Sequence, residues 1–154
     1  MKWKTPPKIK IYEALGCIGD KRIKSEDNGA KVFSSSRGKF YSIEYDGLNA
    51  IMCNDNGSYW VGYLGYPSIA FLMLKGKIKY NPKFTDTLKD IAWKDINVKF
   101  KNDYEKTEAH ILEIIGKKEL DTSELLKDVE NIFEQIEELN LDLLGEKTKP
   151  PSGY

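Results

Sequence analysis

The spacing of apolar positions changes along the first half of the chain, and each change predicts an element. Ile9, Tyr12, Leu15 and Ile18 recur every three residues, close to the helical repeat. Thr5-Pro6 ahead of them offers a hydroxyl cap and a proline suited to a first helical turn. An N-terminal helix ending at Gly19-Asp20 follows. Ser25 to Ala30 is a polar turn. From Lys31 the period drops to two: Tyr41, Ile43 and Tyr45 alternate with Ser42 and Glu44. Lys31 to Ser34 and Phe40 to Tyr45 therefore read as a hairpin around Ser35 to Gly38, with a third strand over Leu48 to Cys53. Tyr59 to Tyr63 reads either as a fourth strand or as an irregular loop. Pro67 then opens Ser68 to Lys75, apolar nearly all round, which predicts a buried central helix.

The second half returns to helical spacing. A short helix is expected from Thr85 or Asp86 to Ile91, and a longer one from Asp95 to Ile115. Asp121-Thr122-Ser123-Glu124 resembles a capping box. Leu125, Val129, Ile132, Ile136, Leu139 and Leu143 follow it at alternating intervals of 4 and 3, a heptad stripe widened by Leu126 and Phe133. The expected fold class is α+β: an N-terminal helix, a small antiparallel β-sheet, a buried central helix and a helical C-terminal half. Three regions are expected: a basic body over 1–83, an acidic helical region over 84–145, and a flexible tail over 146–154 carrying Pro150, Pro151 and Gly153.

Composition sharpens this division. Hydrophobic residues make up 40% and charged residues 31% of 154, enough to bury a core and stay in solution. The net charge of zero hides an asymmetry. Residues 1–83 hold 14 Lys and Arg against 7 Asp and Glu, and residues 84–154 hold 10 against 17. One reading is a basic face for nucleic acid with the acidic part facing a partner; the other is self-compensation, with the acidic helices packing on the basic body. The abundance of Lys, Glu and Ile is thermophile-like. The longest central apolar run, Ile69 to Leu74, is too short to span a bilayer, and Met1 to Pro7 has no apolar leader core, so a cytoplasmic protein with no membrane partner is expected.

Candidate chemistry is sparse. Cys17 and Cys53 are the only cysteines and His110 the only histidine, too few for a closed zinc site, so no metal and no cofactor are expected. Two strands, Cys53-x-Asp55, a Gly-rich gap and a helix entered at Tyr66-Pro67-Ser68 resemble the SWIM domain over about residues 39–75. That family holds zinc by Cys-x-Cys and Cys-x-His on a β-hairpin followed by a helix. Here three of the four ligand positions hold Ile51, Tyr66 and Ser68, so the resemblance implies a zinc-less version, working with nucleic-acid-processing proteins.

Tyr59, Trp60, Tyr63 and Tyr66, spaced by Gly62 and Gly65, form either a packed core or a ligand platform. The lack of Lys or Arg from Asn54 to Leu74 argues against a single-strand platform and for the core. The heptad stripe offers a surface for a protein partner or a homodimer through Leu125, Val129, Ile132, Ile136, Leu139 and Leu143, although docking on the protein's own body is the commoner fate of such a helix. The first functional expectation is thus a non-enzymatic interaction module, SWIM-like and tied to nucleic-acid processing. The alternative is direct nucleic-acid binding by Lys2, Lys4, Lys8, Lys10, Lys75, Lys77 and Lys79. No catalytic residues are assigned: His110 lies mid-helix with no pocket or partner legible around it.

Overall fold

A computed structural model of the chain describes residues 1–152; Gly153 and Tyr154, the end of the expected tail, lie outside the described residues. Helix α1 (Ile9–Gly19) sits at the centre. Ile11, Tyr12, Ala14, Leu15 and Cys17 along it are wholly buried, because four of the later helices pack on it. Its start departs from expectation. Thr5-Pro6-Pro7 stays outside the helix, and Lys8 takes the cap position without a side-chain bond.

A five-stranded sheet in the order β1-β2-β3-β4-β5 covers one side. Strands β1 (Ile23–Glu26), β2 (Gly29–Phe33), β3 (Phe40–Tyr45) and β4 (Ala50–Cys53) form an antiparallel meander, and β5 (Asp142–Leu143) adds in parallel to β4. Alternation works as read: Tyr41, Ile43 and Tyr45 face the core while Phe40 and Glu44 are exposed. Strand β1 falls in part on the segment read as a turn. Its alternation is masked because only Ile23 is apolar and the pairing with β2 supplies the order. The aromatic segment is neither strand nor loop. Gly57–Val61 forms a single π-helical turn, stopped by Gly62 at φ +92°. Such one-turn π segments occur often at functional sites.

Helix α2 (Tyr66–Leu74) is the expected buried helix, with Ile69, Ala70, Phe71 and Leu72 at 0% exposure. Beyond α3 (Lys83–Thr87), the long helix expected over 95–115 is two: α4 (Trp93–Lys99) and α5 (Tyr104–Lys117). Lys101 and Asn102 adopt left-handed φ of 53° and 60°, and Asp103 caps α5 by accepting from the Lys106 N–H. Asn and Asp side chains compete for backbone bonds, which favours such a break over a continuous helix. Helix α6 (Thr122–Leu139) begins at its Asp121 cap and ends at left-handed Asn140.

The heptad stripe requires a correction. Leu125, Val129, Ile132 and Ile136 are 0–5% exposed and belong to the same core cluster as α1 and α2. Leu139 packs partly buried against that core, and Leu143 has left the helix to pair with Ile51 in the sheet. The stripe that was to meet a partner closes the monomer's own core, so it offers no free seam. The two regions expected over 1–83 and 84–145 share this one core. At the tail's start, Lys147 Nζ donates to the Tyr59 carbonyl at 3.3 Å.

Candidate functional site

A cleft of about 450 Å³ lies where α4 and the α4–α5 break meet the turn before β3, the Lys94 N–H donating to Ser35 Oγ at 3.2 Å. One wall is α4 with the residues after it, and the other is the Ser34 to Tyr41 segment and the π-helical turn; Lys10 and Glu13 of α1 also line it. The site therefore gathers short stretches from six places in the sequence, none of which carries a motif alone.

Its inner polar groups are held by the fold. Arg22 is 2% exposed; its Nε lies 3.2 Å from Asp20 Oδ2, and its Nη1 donates to the Phe33 carbonyl at 2.7 Å and to the Tyr66 hydroxyl at 3.3 Å. Burial opposes its charge, but the contacts with Tyr66, Cys17 and Asp20 more than offset that, so it stays a guanidinium. Lys10 Nζ lies 2.8 Å from Glu13 Oε2 and 5.5 Å from the centre of the Tyr104 ring. Burial works against its charge too, and Glu13, Tyr104 and Asp55 outweigh it. Asn97 Nδ2 donates to Glu13 Oε1 at 3.1 Å. Tyr63 and Tyr66 are pushed well above the usual phenol range, chiefly by burial, and remain neutral. Asp55, fully enclosed, accepts from the Ser58 N–H and hydroxyl and so holds the π-helical turn; burial raises its pKa despite those bonds. Lys39, Lys94 and Lys101 line the cleft as well, beside the Lys10–Glu13 pair and Arg22, which Asp20 balances.

The mouth is apolar. Trp60, Val61 and Val98, all lining residues, are 66%, 53% and 69% exposed. Trp60 is braced edge-on by Tyr59 at 4.7 Å between ring centres. Two buried polar atoms of lining residues, Trp93 Nε1 and Asn97 Oδ1, have no hydrogen-bond partner among the described residues. Unpaired buried polar atoms cost free energy and are uncommon in folded proteins.

The residue set read from sequence is only partly here. Of the seven lysines proposed for nucleic acid, Lys10 alone lines the cleft. Lys2 pairs with Asp142 at 3.1 Å and Lys8 pairs with Glu130. Lys4 donates to the Val61 carbonyl at 3.4 Å, and Lys75 to that of Glu26 at 2.7 Å. The trio Lys75, Lys77 and Lys79 does not share an extended face, because Gly76 at φ +76° turns the chain directly after α2. Lys39, Lys94 and Lys101 were missed because no periodicity connects them; only folding brings them to the lining of one cleft with Trp60.

A family model spans residues 3–142 of the chain, covering α1, the sheet and the cleft. The chain belongs to the family described as uncharacterised conserved protein UCP014422. No curated protein and no solved structure matches it. Nothing in these comparisons points to a SWIM domain. The hairpin-then-helix order that carried that resemblance is present as β3, β4 and α2. Its ligand-like positions are occupied by packing: Ile51 is wholly buried, and Ser68 is 1% exposed. Among the described residues, no group of three or more His, Cys, Asp or Glu is placed to hold a metal ion. No described helix is long and apolar enough to cross a membrane.

Proposed function

We propose that this protein is a non-enzymatic binding module whose cleft takes a segment of single-stranded nucleic acid. The observation that carries the reading is the meeting of an exposed ring with a ring of cations. Trp60, 66% exposed, lines the same cleft as Lys10, Lys39, Lys94 and Lys101. Single strands are held by this pairing of aromatic stacking and phosphate-facing cations. A volume of about 450 Å³ suits one or two nucleotides and lies within the range of small-molecule sites. The surface differs from the lysine set first considered, which is largely engaged by the protein itself.

Binding rather than catalysis fits the state of the candidate nucleophiles. Burial pushes the Cys17 thiol up to about 12 and the Cys53 thiol well above its usual range, so neither is a ready thiolate. Ser58 is committed to Asp55, and His110 lies against Phe100 on α5, outside the cleft lining. The interaction-module reading through α6 has lost its surface, and a protein partner would need another.

The test is fluorescence titration with oligothymidylates at low salt. Trp60 and Trp93 line the cleft and Trp3 does not, so titrating Trp60→Ala alongside the wild type separates the quenching of Trp60 from that of Trp93. Trp60→Ala is expected to weaken binding by about 1 to 3 kcal/mol, the worth of one stacked base. Affinity should fall linearly with the logarithm of salt concentration. Absence of binding at low salt, or binding indifferent to Trp60, would reject the proposal.

A further inference from the structure

The outer face of the sheet beside the cleft carries an arrangement that the fold alone does not explain. Lys24 and Lys31 are directly opposite each other in the β1–β2 ladder. Like charges so placed destabilise a sheet. Neither they nor Arg37 takes part in an ion pair among the described residues. One row along, Phe33 and Phe40 are also direct partners, with ring centres 6.0 Å apart, and Phe40 is 45% exposed. The Lys31 ammonium lies 5.3 Å from the centre of the Phe40 ring, and that of Lys24 lies 5.9 Å from that of Phe33. Rings and cations thus alternate across an open surface, while the carboxylates of that face, Glu26 and Glu44, are confined to its far end beside Gly29.

This surface is continuous with the cleft. The turn from Ser34 to Lys39 is closed by the Ser34 N–H to the Lys39 carbonyl at 2.9 Å; its serines line the cleft, while Phe33 and Phe40 flank it on the outer face. A chain leaving the cleft over this turn arrives on Phe40. We infer that the outer face of β1, β2 and β3 is a second stretch of the same track: a single-stranded nucleic acid that fills the cleft continues across Phe40 and Phe33, its phosphates met by Lys24, Lys31 and Arg37. This inference rests on the cleft reading above. Its occupant follows from charge complementarity, since a polyanion relieves the Lys24–Lys31 repulsion and an uncharged or basic partner does not.

Length dependence separates the two stretches. A fluorescein-labelled thymidine dinucleotide fits the cleft alone, and a dodecanucleotide reaches the sheet. Phe40→Ala and Lys31→Ala, both at exposed positions, should weaken the dodecanucleotide about five-fold or more and leave the dinucleotide within about two-fold. Trp60→Ala should weaken both. Lys31→Ala should also lower the salt slope of the dodecanucleotide by about one. If Phe40→Ala and Lys31→Ala leave the dodecanucleotide unchanged while Trp60→Ala weakens it, the track ends at the cleft and the inference is overturned. If neither oligonucleotide binds, the cleft reading itself fails and takes the inference with it. Unchanged melting temperatures of the variants exclude unfolding as the cause.

Discussion

Lysines on two flanks of this molecule meet opposite fates. On the flank where α6 packs on α1, Lys8 pairs with Glu130 and Lys83 with Glu124, and nearby Lys2 pairs with Asp142. Each pair joins a residue of the basic half to one of the acidic half. On the sheet flank, Lys24, Lys31 and Arg37 face solvent without such partners among the described residues, while in the cleft Lys10 pairs with Glu13 and Arg22 with Asp20. The charge asymmetry of the sequence is thus self-compensated on one side and left over on the other. A count by halves of the chain cannot distinguish these. What matters is which lysines the acidic helices reach once α6 has docked. The α6 flank belongs to the fold, and the sheet flank beside the cleft is where Lys24, Lys31 and Arg37 face solvent without an ion pair among the described residues.

The sharpest way to break this contrast is to ask whether α6 is core or surface. Ile132→Ala is expected to cost about 2 to 5 kcal/mol, because a wholly buried isoleucine loses both transfer energy and packing. Chemical denaturation of the variant measures it. Replacing both Ile132 and Ile136 with Asp should unfold the chain, and sedimentation should show no loss of a dimer before unfolding. A folded, monomeric double variant would show that α6 is peripheral. Leu72→Ala in α2 should cost a similar amount for the same reason.

The next effect is on binding and separates the flanks directly. Lys101→Ala at the cleft should lower the salt slope of oligonucleotide binding by about one, with little change in melting temperature. Lys8→Ala and Lys83→Ala should leave that slope unchanged. Equal slopes for all three variants would erase the distinction between flanks.

Much of the fold was legible because periodicity is a local property. The alternation of Tyr41, Ile43 and Tyr45 and the closed apolar run after Pro67 are dictated by neighbours in sequence, and both elements are present. Strand β1 was hidden because its solvent-facing Lys24 and Glu26 show no apolar alternation. The α4–α5 break was hidden because Asn102-Asp103 interrupts an otherwise helical stripe with turn chemistry rather than Gly or Pro. The heptad spacing was real over α6 but did not reveal what the stripe packs on, and Asn140 removed Leu143 from it. The cleft was least legible. The aromatic segment lacks cations of its own, which argued against a stacking platform. In the fold its cations come from α1, from the turn before β3 and from α4, and sequence adjacency says nothing about them.

The ion pairs of the α6 flank should matter little to stability in themselves. The side chains of Lys8 and Glu130 are 42% and 54% exposed, and solvent screens such a pair. Lys8→Ala is expected to cost about 0 to 1 kcal/mol, diminishing with added salt. A larger, salt-insensitive loss would mean that Lys8 acts through packing on Phe133, whose ring centre lies 5.2 Å from its ammonium. The pair would then be incidental, and the description of this flank would shift from charge to apolar contact.

Acid should separate the flanks by the smallest effect. Asp121 caps α6, accepting from the Ser123 hydroxyl at 2.6 Å and the Ser123 N–H at 2.9 Å. Those bonds, the hydroxyl first, hold its pKa below the ordinary carboxylate value, with Lys83 adding a minor attraction. A carboxylate depressed by folding stabilises the native state above its unfolded pKa, about 3.9, and that contribution is lost as pH falls through the folded value. Melting temperature should therefore decline below about pH 4, and Asp121→Asn should decline less over the same interval. A nucleic-acid phosphate stays ionised there and Lys10, whose pKa the fold raises, stays charged, so oligothymidylate binding by the still-folded protein should not weaken with the cap. If Asp121→Asn and the wild type decline alike, the cap is not where acid acts on α6. If binding weakens in step with melting, the two flanks are coupled, and the cleft depends on how firmly α6 closes the core beneath it.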